Sequence, residues 1–225
     1  MQQTKIEILG IQKKYKNKEV LKNISFETEI GSCVGILGGN GSGKSTLLSV
    51  LAGVLKTDAG SFLYKGENLL TNKKVAQQLI GYVPQGNPLM EELSAWDNLR
   101  LWYDKEQLCK ELENGVLKLL GIGEFIKVPV NKMSGGMKKR LSIGCSVADN
   151  PPLLLLDEPS AALDLVCKEQ IYNYLHQFKA AGGTIILVTH DTQELELCDK
   201  CYILKNGQLE PYHYDGDIHN LAGRL

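Results

Sequence analysis

Apolar and polar residues alternate in the first part of the chain, and this alternation predicts β-strands. In "EVLKNISFETE", Ile24 and Phe26 fall on one side of an extended chain, whereas Ser25 and Glu27 fall on the other. The preceding stretch "TKIEILGI" and the later stretch "TDAGSFLYKGENL" also read as strands. Strands with one buried face are typical of antiparallel sheets. We therefore predict an N-terminal antiparallel β-subdomain.

Four other apolar stretches also read as strands, and the first of them is apolar almost throughout, which is typical of a strand in the middle of a parallel sheet. They are "SCVGILG", "IGYVPQ", "LLLLD" and "TIILVTH". Helical stretches follow three of them, in "KSTLLSVLAGVL", "LVCKEQIYNYLHQF" and "TQELELC". Asn206 and Gly207 then separate two apolar runs and predict a β-hairpin. The pattern indicates an α/β fold with a mainly parallel sheet.

The segment from about residue 89 to residue 148 has no strand pattern and is predicted to be helical. Ser94 is a candidate cap for "AWDNLRLWYD", and a further helix follows Ser134. Between them, apolar residues recur at helical spacing at Leu108, Leu112, Val116 and Leu119. We interpret this block as a helical subdomain inserted into one domain that covers residues 1–225.

The composition argues against several classes of protein. Lys and Arg total 25 against 26 for Asp and Glu, so a net charge of -1 provides no strong field for nucleic acid. The longest apolar runs are shorter than the roughly 18 residues of a membrane span. The start "MQQTKIEILG" lacks the pattern of a signal peptide, so a cytoplasmic location is expected. Cys198 and Cys201 have the spacing of a redox motif or half of a zinc site, but without a second pair nearby we predict buried structural thiols.

The strongest chemical signal is the stretch "GGNGSGKS", which matches the pattern of a phosphate-binding loop between a strand and a helix. Glycines let the backbone N–H groups turn toward phosphate, and the start of the helix adds partial positive charge. Lys44 is predicted to reach the β- and γ-phosphates, and the Ser45 hydroxyl to bind Mg²⁺. The predicted nucleotide contacts are Gly38, Asn40, Gly41, Ser42, Gly43, Lys44, Ser45 and Thr46.

Acidic and polar residues follow the other apolar strands. Asp157 and Glu158 end "LLLLDE", and their side chains leave opposite faces of a strand. Asp157 suits the Mg²⁺ shell and Glu158 suits a base that activates water. Gln85 and His190 also follow apolar strands, where ligands of parallel sheets bind. Each of these two signals is weak alone, since a histidine at the end of a strand is more often structural.

A second candidate anion site lies in "NKMSGGMKKRLS". Ser134, Gly135 and Gly136 precede a basic helix, whose free N–H groups and dipole favour a phosphate. The same serine is also what a plain helix cap requires. These residues alone leave both interpretations open.

Together the motifs resemble the nucleotide-binding subunit of ABC (ATP-binding cassette) transporters over nearly the whole chain. The resemblance depends on Tyr15 and on "GGNGSGKST", "YVPQ", "MSGGMKKR", "LLLLDEPSAALD" and "LVTH", in the order of that family. It implies a P-loop NTPase core that carries an antiparallel β-subdomain and an inserted helical subdomain. It also implies ATP and Mg²⁺ as ligands.

The family resemblance assigns further roles. In that family two cassettes pack head to tail, so Ser134, Gly135 and Gly136 of one subunit are expected to contact the ATP of the other. Tyr15 is expected to stack on adenine, and Asp164 to lie along the seam between the subunits. Mg²⁺ is expected at Ser45, Gln85 and Asp157, and catalysis at Glu158, His190 and Gln85.

The sequence departs from the family pattern at three positions. Met133 and Met137 replace the leucine and glutamine of the usual LSGGQ signature, and Gly39 replaces a common proline. The contacts of the signature glutamine are therefore not transferred to Met137. The glycine changes the stiffness of the loop but removes no donor.

The resemblance implies an ATPase that drives a separate transmembrane permease from the cytoplasmic face of the cell membrane. Its ATPase partner is a second copy or a related chain, and export is favoured over import because the chain is compact. One alternative is a cytosolic ABC ATPase without a transport role, such as those of iron-sulfur assembly. Another is a P-loop kinase. The transported substrate does not follow from the sequence.

Overall fold

The computed structural model describes residues 5–217 and residue 223. In this part of the chain the strands are β1 Lys5–Tyr15, β2 Lys18–Glu29, β3 Cys33–Leu37, β4 Ala59–Tyr64, β5 Glu67–Asn68, β6 Ile80–Val83, β7 Leu153–Asp157, β8 Thr184–Val188, β9 Lys200–Lys205 and β10 Gln208–Tyr212. The α-helices are α1 Lys44–Leu51, α2 Lys73–Leu79, α3 Ala95–Leu99, α4 Lys105–Asn114, α5 Val116–Leu119, α6 Gly135–Ser146, α7 Leu165–Ala180 and α8 Thr192–Leu197. Short 3₁₀ turns occupy Ile122–Phe125 and Val130–Lys132.

The first sheet is antiparallel and has the strand order β2-β1-β4-β5. Ile24 and Phe26 of β2 are buried, whereas Ser25 and Glu27 are exposed. The alternating pattern thus correctly predicted both the pairing and the buried face. This sheet carries Tyr15 at the end of β1, opposite Lys18.

The second sheet has the order β10-β9-β3-β8-β7-β6, and all its pairs are parallel except β9 with β10. Strands β3, β7 and β8 are buried at every residue, as their continuous apolar runs predicted. Asn206 and Gly207 turn the chain between β9 and β10 with φ of 53° and 77°. Two successive positive φ values are typical of a tight hairpin turn.

Alternate residues of the second sheet pack into two different cores. Leu154 and Leu156 of β7 contact a core shared with the helical block and α7. Leu153 and Leu155 contact a core shared with the first sheet and α1. The inner strands β3, β8 and β7 are therefore covered on both faces, which leaves only their ends open to solvent.

Helices α3 to α6 all lie between β6 and β7, the part of the chain where the sequence predicted a helical insertion. The prediction of one continuous helical spacing through Leu108 and Leu119 was wrong in detail, because Gly115 is extended, with φ -108° and ψ -157°, and separates α4 from α5. The Glu111 carboxylate accepts the N–H of Val116 and starts the second helix (2.8 Å). The helix capped by Ser94 is also shorter than predicted and ends at Leu99.

Helix α2 had no counterpart in the sequence prediction. Only Ala76 of this helix is buried, so its apolar periodicity is too weak to indicate a helix. Asn72 starts it by accepting the N–H of Val75. In the described part of the chain, no helix has both the length and the apolar composition needed to cross a bilayer.

Gly81 of β6 lies where the last helix of the block touches the second sheet. A Cβ there would come within 2.7 Å of Ser146 O and 2.7 Å of Leu154 Cδ2. We expect Gly81→Ala to lower the free energy of unfolding by about 1–3 kcal/mol, because the contact with a backbone carbonyl cannot relax easily. Urea unfolding measures this change. Gly123→Ala is the matched control, since no described residue lies within 4 Å of a Cβ at that position. Equal unfolding midpoints for both variants would contradict the prediction.

Candidate functional site

The phosphate loop connects the buried strand β3 to α1. Gly38, Gly41 and Gly43 have φ of 151°, 75° and 110°, a region that L side chains rarely adopt. A Cβ on Gly38 would also overlap with Leu204 O of β9. Among the residues that the structure describes, no side chain caps α1 at Gly43, so the first N–H groups of the helix remain available to a ligand.

Lys44 folds back over the phosphate loop. Its Nζ donates to Gly38 O (2.6 Å) and Gly39 O (3.1 Å). Burial lowers the pKa of Lys44, whereas Glu158 and Asp157 oppose this shift. An ammonium group has three N–H donors, so one is left for a phosphate oxygen.

The other predicted nucleotide contacts lie in the same loop or in the first turn of α1. The Ser42 N–H donates to Gly39 O (3.2 Å). The Ser42 hydroxyl is buried and has no hydrogen-bond partner among the described residues. Asn40, Gly41 and Ser45 are exposed, and Thr46 is half-buried.

Asp157 ends β7 and is 2% exposed. Burial raises the pKa of Asp157, and a hydrogen bond from Ser45 opposes the shift. Its Oδ1 atom has no hydrogen-bond partner in the described part of the chain. A buried carboxylate oxygen without a partner, next to a serine hydroxyl, fits a hard divalent cation such as Mg²⁺.

Glu158 and Gln85 are brought together although 73 positions separate them. Gln85 Nε2 donates to Glu158 Oε2 at 3.0 Å. Glu158 has φ 50°, and its N–H donates to Val188 O at 2.9 Å. A non-glycine residue with this φ is strained, and such strain is common where a side chain must take a functional position.

His190 follows β8 and lines the same cavity as Glu158. The residue is exposed, but partial burial of its ring and then the charge of Lys44 lower the pKa of His190, whereas Glu158 opposes the shift. The imidazole is therefore mainly neutral at neutral pH. A cavity beside it is lined by Glu158, Ser160, Ala161, Lys168, Thr189, His190, Asp191 and Glu194.

Sequence reasoning missed Glu194, a buried carboxyl group that lines the same cavity as His190. Glu194 is 2% exposed, and the Thr189 hydroxyl donates to its Oε2 atom. Burial raises the pKa of Glu194 to about 7, although the hydroxyls of Thr189 and Ser160 oppose the rise. Glu196, two positions later, is exposed. No local pattern distinguishes the two glutamates, because the packing of α8 decides which one is buried.

Sequence reasoning also missed Lys139, which was predicted only as part of a basic helix. Its side chain is buried, and Nζ donates to Pro84 O (3.0 Å) and Gln85 O (3.1 Å). Burial lowers the pKa of Lys139, whereas Asp157 and Glu158 oppose this shift. The lysine therefore joins α6 to the segment that carries Gln85.

Ser134 starts α6 as the sequence suggested, and its hydroxyl accepts the N–H of Met137 (3.2 Å). Ser134 and Gly135 are exposed, whereas Gly136 is buried, and a Cβ on it would overlap with Cys167 Sγ. Within the described residues, no hydrogen bond joins these three residues to the phosphate loop of the same chain. Ser134 acts as a helix cap, and the start of α6 at Ser134 and Gly135 is exposed to solvent.

Asp164 caps α7 by accepting the N–H of Cys167 (2.9 Å). Cys167 also packs against Gly136, so Asp164 lies near the start of α6. The next two residues, Leu165 and Val166, are 84% and 69% exposed.

Tyr15 is exposed at the end of β1, with Lys13 Nζ 5.7 Å from the centre of its ring. It belongs to the β1–β2 hairpin, and β2 reaches the phosphate loop because a Cβ on Gly43 would contact Val20 (3.0 Å). The ring is therefore exposed on a hairpin that contacts the phosphate loop.

Cys198 and Cys201 carry free thiols. Cys201 is buried, and contact with Cys198 together with burial raises its pKa. Cys33 Sγ lies 3.6 Å from Cys198 Sγ, so the three thiols share one cluster beside Gly35. Buried thiols with raised pKa values are unreactive, which agrees with a structural role.

The family model described as ABC transporter matches residues 21–161. The chain belongs to this family. The matched range contains the phosphate loop, Gln85, Ser134–Gly136 and the pair Asp157 and Glu158. The resemblance inferred from the motifs is thereby confirmed.

Curated ABC proteins are similar over most of this cassette. The chain is 36% identical to the Nod factor export ATP-binding protein I of Sinorhizobium fredii over 90% of its own length and 61% of that protein. It is 35% identical to the linearmycin resistance ATP-binding protein LnrL of Bacillus subtilis over 89% of its own length and 66% of that protein. The cassette thus spans less than the full length of these relatives.

Solved ABC cassettes share the fold. The dimeric cassette MJ0796 in a post-hydrolysis state with ADP and phosphate gives a TM-score of 0.80 at 28% identity, over 93% of this chain and 99% of that chain. An ATP-binding subunit of an ABC transporter gives a TM-score of 0.82 at 26% identity, over 97% and 93%. The predicted fold class, a P-loop NTPase core with a mainly parallel sheet, is confirmed.

Glu194 makes the stability of the cassette depend on pH. Its pKa in the fold, about 7, lies above the ordinary value of 4.5, so its contribution is fully present below about pH 4.5 and is lost as the pH rises through about 7. Glu194→Gln stays neutral. We therefore expect the stability of this variant relative to wild type to increase across that window by up to about 3 kcal/mol.

Urea unfolding at several pH values measures this difference. Glu196→Gln is the matched control, because Glu196 is exposed on the same helix. A constant difference between Glu194→Gln and wild type across the window would contradict the prediction.

Proposed function

We propose that this cassette binds and hydrolyses ATP, and that hydrolysis powers a membrane transporter. The observation that carries the proposal is the convergence of Lys44, Asp157, Glu158 and Gln85 at one edge of the second sheet. These residues supply a phosphate-binding cation, a carboxylate for a metal and a hydrogen-bonded base. Membership of the ABC transporter family supports the same reaction.

The phosphate loop would hold the nucleotide. Backbone N–H groups of Gly38–Gly43 and the start of α1 favour the phosphates, because they offer donors and partial positive charge. Lys44 has one N–H left for a phosphate oxygen. Tyr15 offers its exposed ring to the adenine.

Three oxygen-bearing side chains would hold Mg²⁺, namely Ser45, Asp157 and Gln85. The unpartnered Oδ1 atom of Asp157 and its contact with Ser45 support this assignment. Bound there, Mg²⁺ would neutralise charge on the β- and γ-phosphates. Burial of Asp157 keeps competing water away from its free oxygen.

Glu158 would act as the general base. It accepts a proton from water while the water oxygen attacks the γ-phosphorus, and the bond to the departing ADP oxygen breaks. The Gln85 amide holds one oxygen of Glu158, which leaves the other for the water. His190, mainly neutral near pH 7, can donate one N–H to the transferred phosphoryl group.

The site would be completed by a second cassette, either another copy or a related chain. Ser134 and Gly135 are exposed at the start of α6, so they can reach a phosphate held by the partner. The exposed Leu165 and Val166 would be covered in such a pair, next to Asp164. The dimeric state of MJ0796 supports this arrangement.

The membrane component would be a separate permease, with the cassette on the cytoplasmic face of the membrane. The names of two relatives, a Nod factor export protein and a linearmycin resistance protein, favour export. ATP binding would close the cassette pair, and hydrolysis with product release would reopen it. This cycle would shift the permease between two states. Selectivity for the transported substrate would reside mainly in the permease.

Glu158→Gln tests the base. We expect ATP binding to persist while phosphate release falls by about 10²–10⁴-fold, because the amide cannot accept the proton. ATP-bound dimers should accumulate, which light scattering detects. Glu196→Gln is the matched control on an exposed glutamate. Unchanged phosphate release from Glu158→Gln would remove this residue from the role of base.

Mixed variants test the composite site. A pair made from one Lys44→Ala chain and one Ser134→Arg chain retains one intact combination of phosphate loop and serine. We expect its phosphate release to exceed that of either variant alone. Two differently tagged Lys44→Ala preparations are the control for mixing. Monomers alone in light scattering of Glu158→Gln with ATP, together with no recovery in the mixture, would contradict the shared site.

A further inference from the structure

Lys139 holds the segment that precedes the helical block. It is 5% exposed, and its Nζ donates to Pro84 O at 3.0 Å and to Gln85 O at 3.1 Å. These carbonyls belong to the two peptide planes on either side of the Gln85 Cα. Since each plane is rigid, binding both oxygens to one ammonium restricts φ and ψ of Gln85.

The restricted backbone fixes the position from which the Gln85 side chain extends. Its Nε2 atom donates to Glu158 Oε2 at 3.0 Å. Lys139 is thus hydrogen-bonded to the backbone around Gln85, and the Gln85 side chain is hydrogen-bonded to the carboxylate of Glu158. Loss of the ammonium would release the Gln85 backbone and with it the orientation of the amide.

Lys139 has no carboxylate partner in an ion pair among the described residues, in contrast to its neighbour Lys138, which pairs with Glu91 at 3.6 Å. A buried ammonium is costly unless it is hydrogen-bonded, so its two carbonyl partners are essential to its burial. Salt bridges on the surface contribute little stability. The chain therefore offers a matched pair of adjacent lysines, one buried on Gln85 and one near the surface.

The other end of the same helix is exposed. Ser134 lies five positions before Lys139, roughly one and a half helical turns away. A helix moves as a rigid rod over this distance, so a displacement of Ser134 also displaces Lys139. Such a displacement is therefore expected to reach Gln85 through the hydrogen bonds of Lys139.

We propose that Lys139 is a positioning residue, which fixes Gln85 against Glu158 and transmits to it the position of the helix start at Ser134. The proposal deepens the proposed function, since it assumes ATP hydrolysis at Glu158 and a phosphate of the partner at Ser134. It gives one composite site a physical connection to the other. Lys139 makes its hydrogen bonds to the backbone around Gln85, so it is a positioning residue and not a catalytic one.

Hydrogen exchange tests the connection without requiring hydrolysis. Peptides that cover residues 84–92 are compared in wild type, Lys139→Met, Lys139→Arg and Lys138→Met. We expect exchange about tenfold faster in Lys139→Met, because the segment loses its anchor, and wild-type exchange in the other two variants. Wild-type exchange in Lys139→Met would overturn the proposal.

Kinetics test the consequence for the reaction. Lys139→Met should lower kcat about tenfold and change KM for ATP by less than about twofold, and Lys139→Arg should restore kcat. In a Gln85→Ala background, Lys139→Met should cause little further loss, because the two residues act through one contact. A raised KM with unchanged kcat, or fully additive losses, would overturn the proposal.

A substitute variant and the wild-type activity separate failure of this proposal from misfolding and from failure of the proposed function. If Lys139→Met does not fold, Lys139→Gln replaces it with the same expected losses, since its amide ends about one bond short of the carbonyls. If wild type releases no phosphate from ATP, the proposed function fails, whereas hydrogen exchange still decides whether Lys139 anchors Gln85.

Discussion

Parallel pairing in the second sheet is the constraint on which the site depends. Backbone hydrogen bonds align β3 with β8, β8 with β7, and β7 with β6. Asp157 ends one of these four strands, and the phosphate loop, His190 and Gln85 follow the carboxyl ends of the other three, so all of them lie at one edge. Because both faces of the sheet are covered by apolar cores, this edge is where polar groups can meet a ligand.

Burial of charge at that edge explains much of its chemistry. Asp157, Lys44 and Lys139 are each nearly inaccessible to solvent, and burial opposes the charged form of all three. Each lysine is influenced by Asp157 and Glu158, so the opposite charges partly compensate one another. Removal of one member would leave the others with a larger desolvation cost. The network is therefore sensitive to substitution and to any ligand that adds charge.

The helical block adds a second level of organisation. Its last helix, α6, begins at the solvent-exposed Ser134 and continues to Lys139, which is buried against the segment carrying Gln85. One helix thus joins a surface suited to a partner's phosphate to the interior of the chain's own site. In the proposed dimer, this arrangement would let each site respond to the nucleotide held by the other.

Local patterns in the sequence determined the phosphate loop, the two kinds of strand, the hairpin at Asn206 and Gly207, and the cap at Ser134. Each depends on a few neighbouring residues with strong conformational preferences. Tertiary structure alone decided that Gln85 contacts Glu158, that Lys139 anchors Gln85, and that Glu194 is buried while Glu196 is not. Burial and pairing of polar side chains depend on which distant segments pack together, and the local pattern at any of these residues is the same whether the side chain faces solvent or the core.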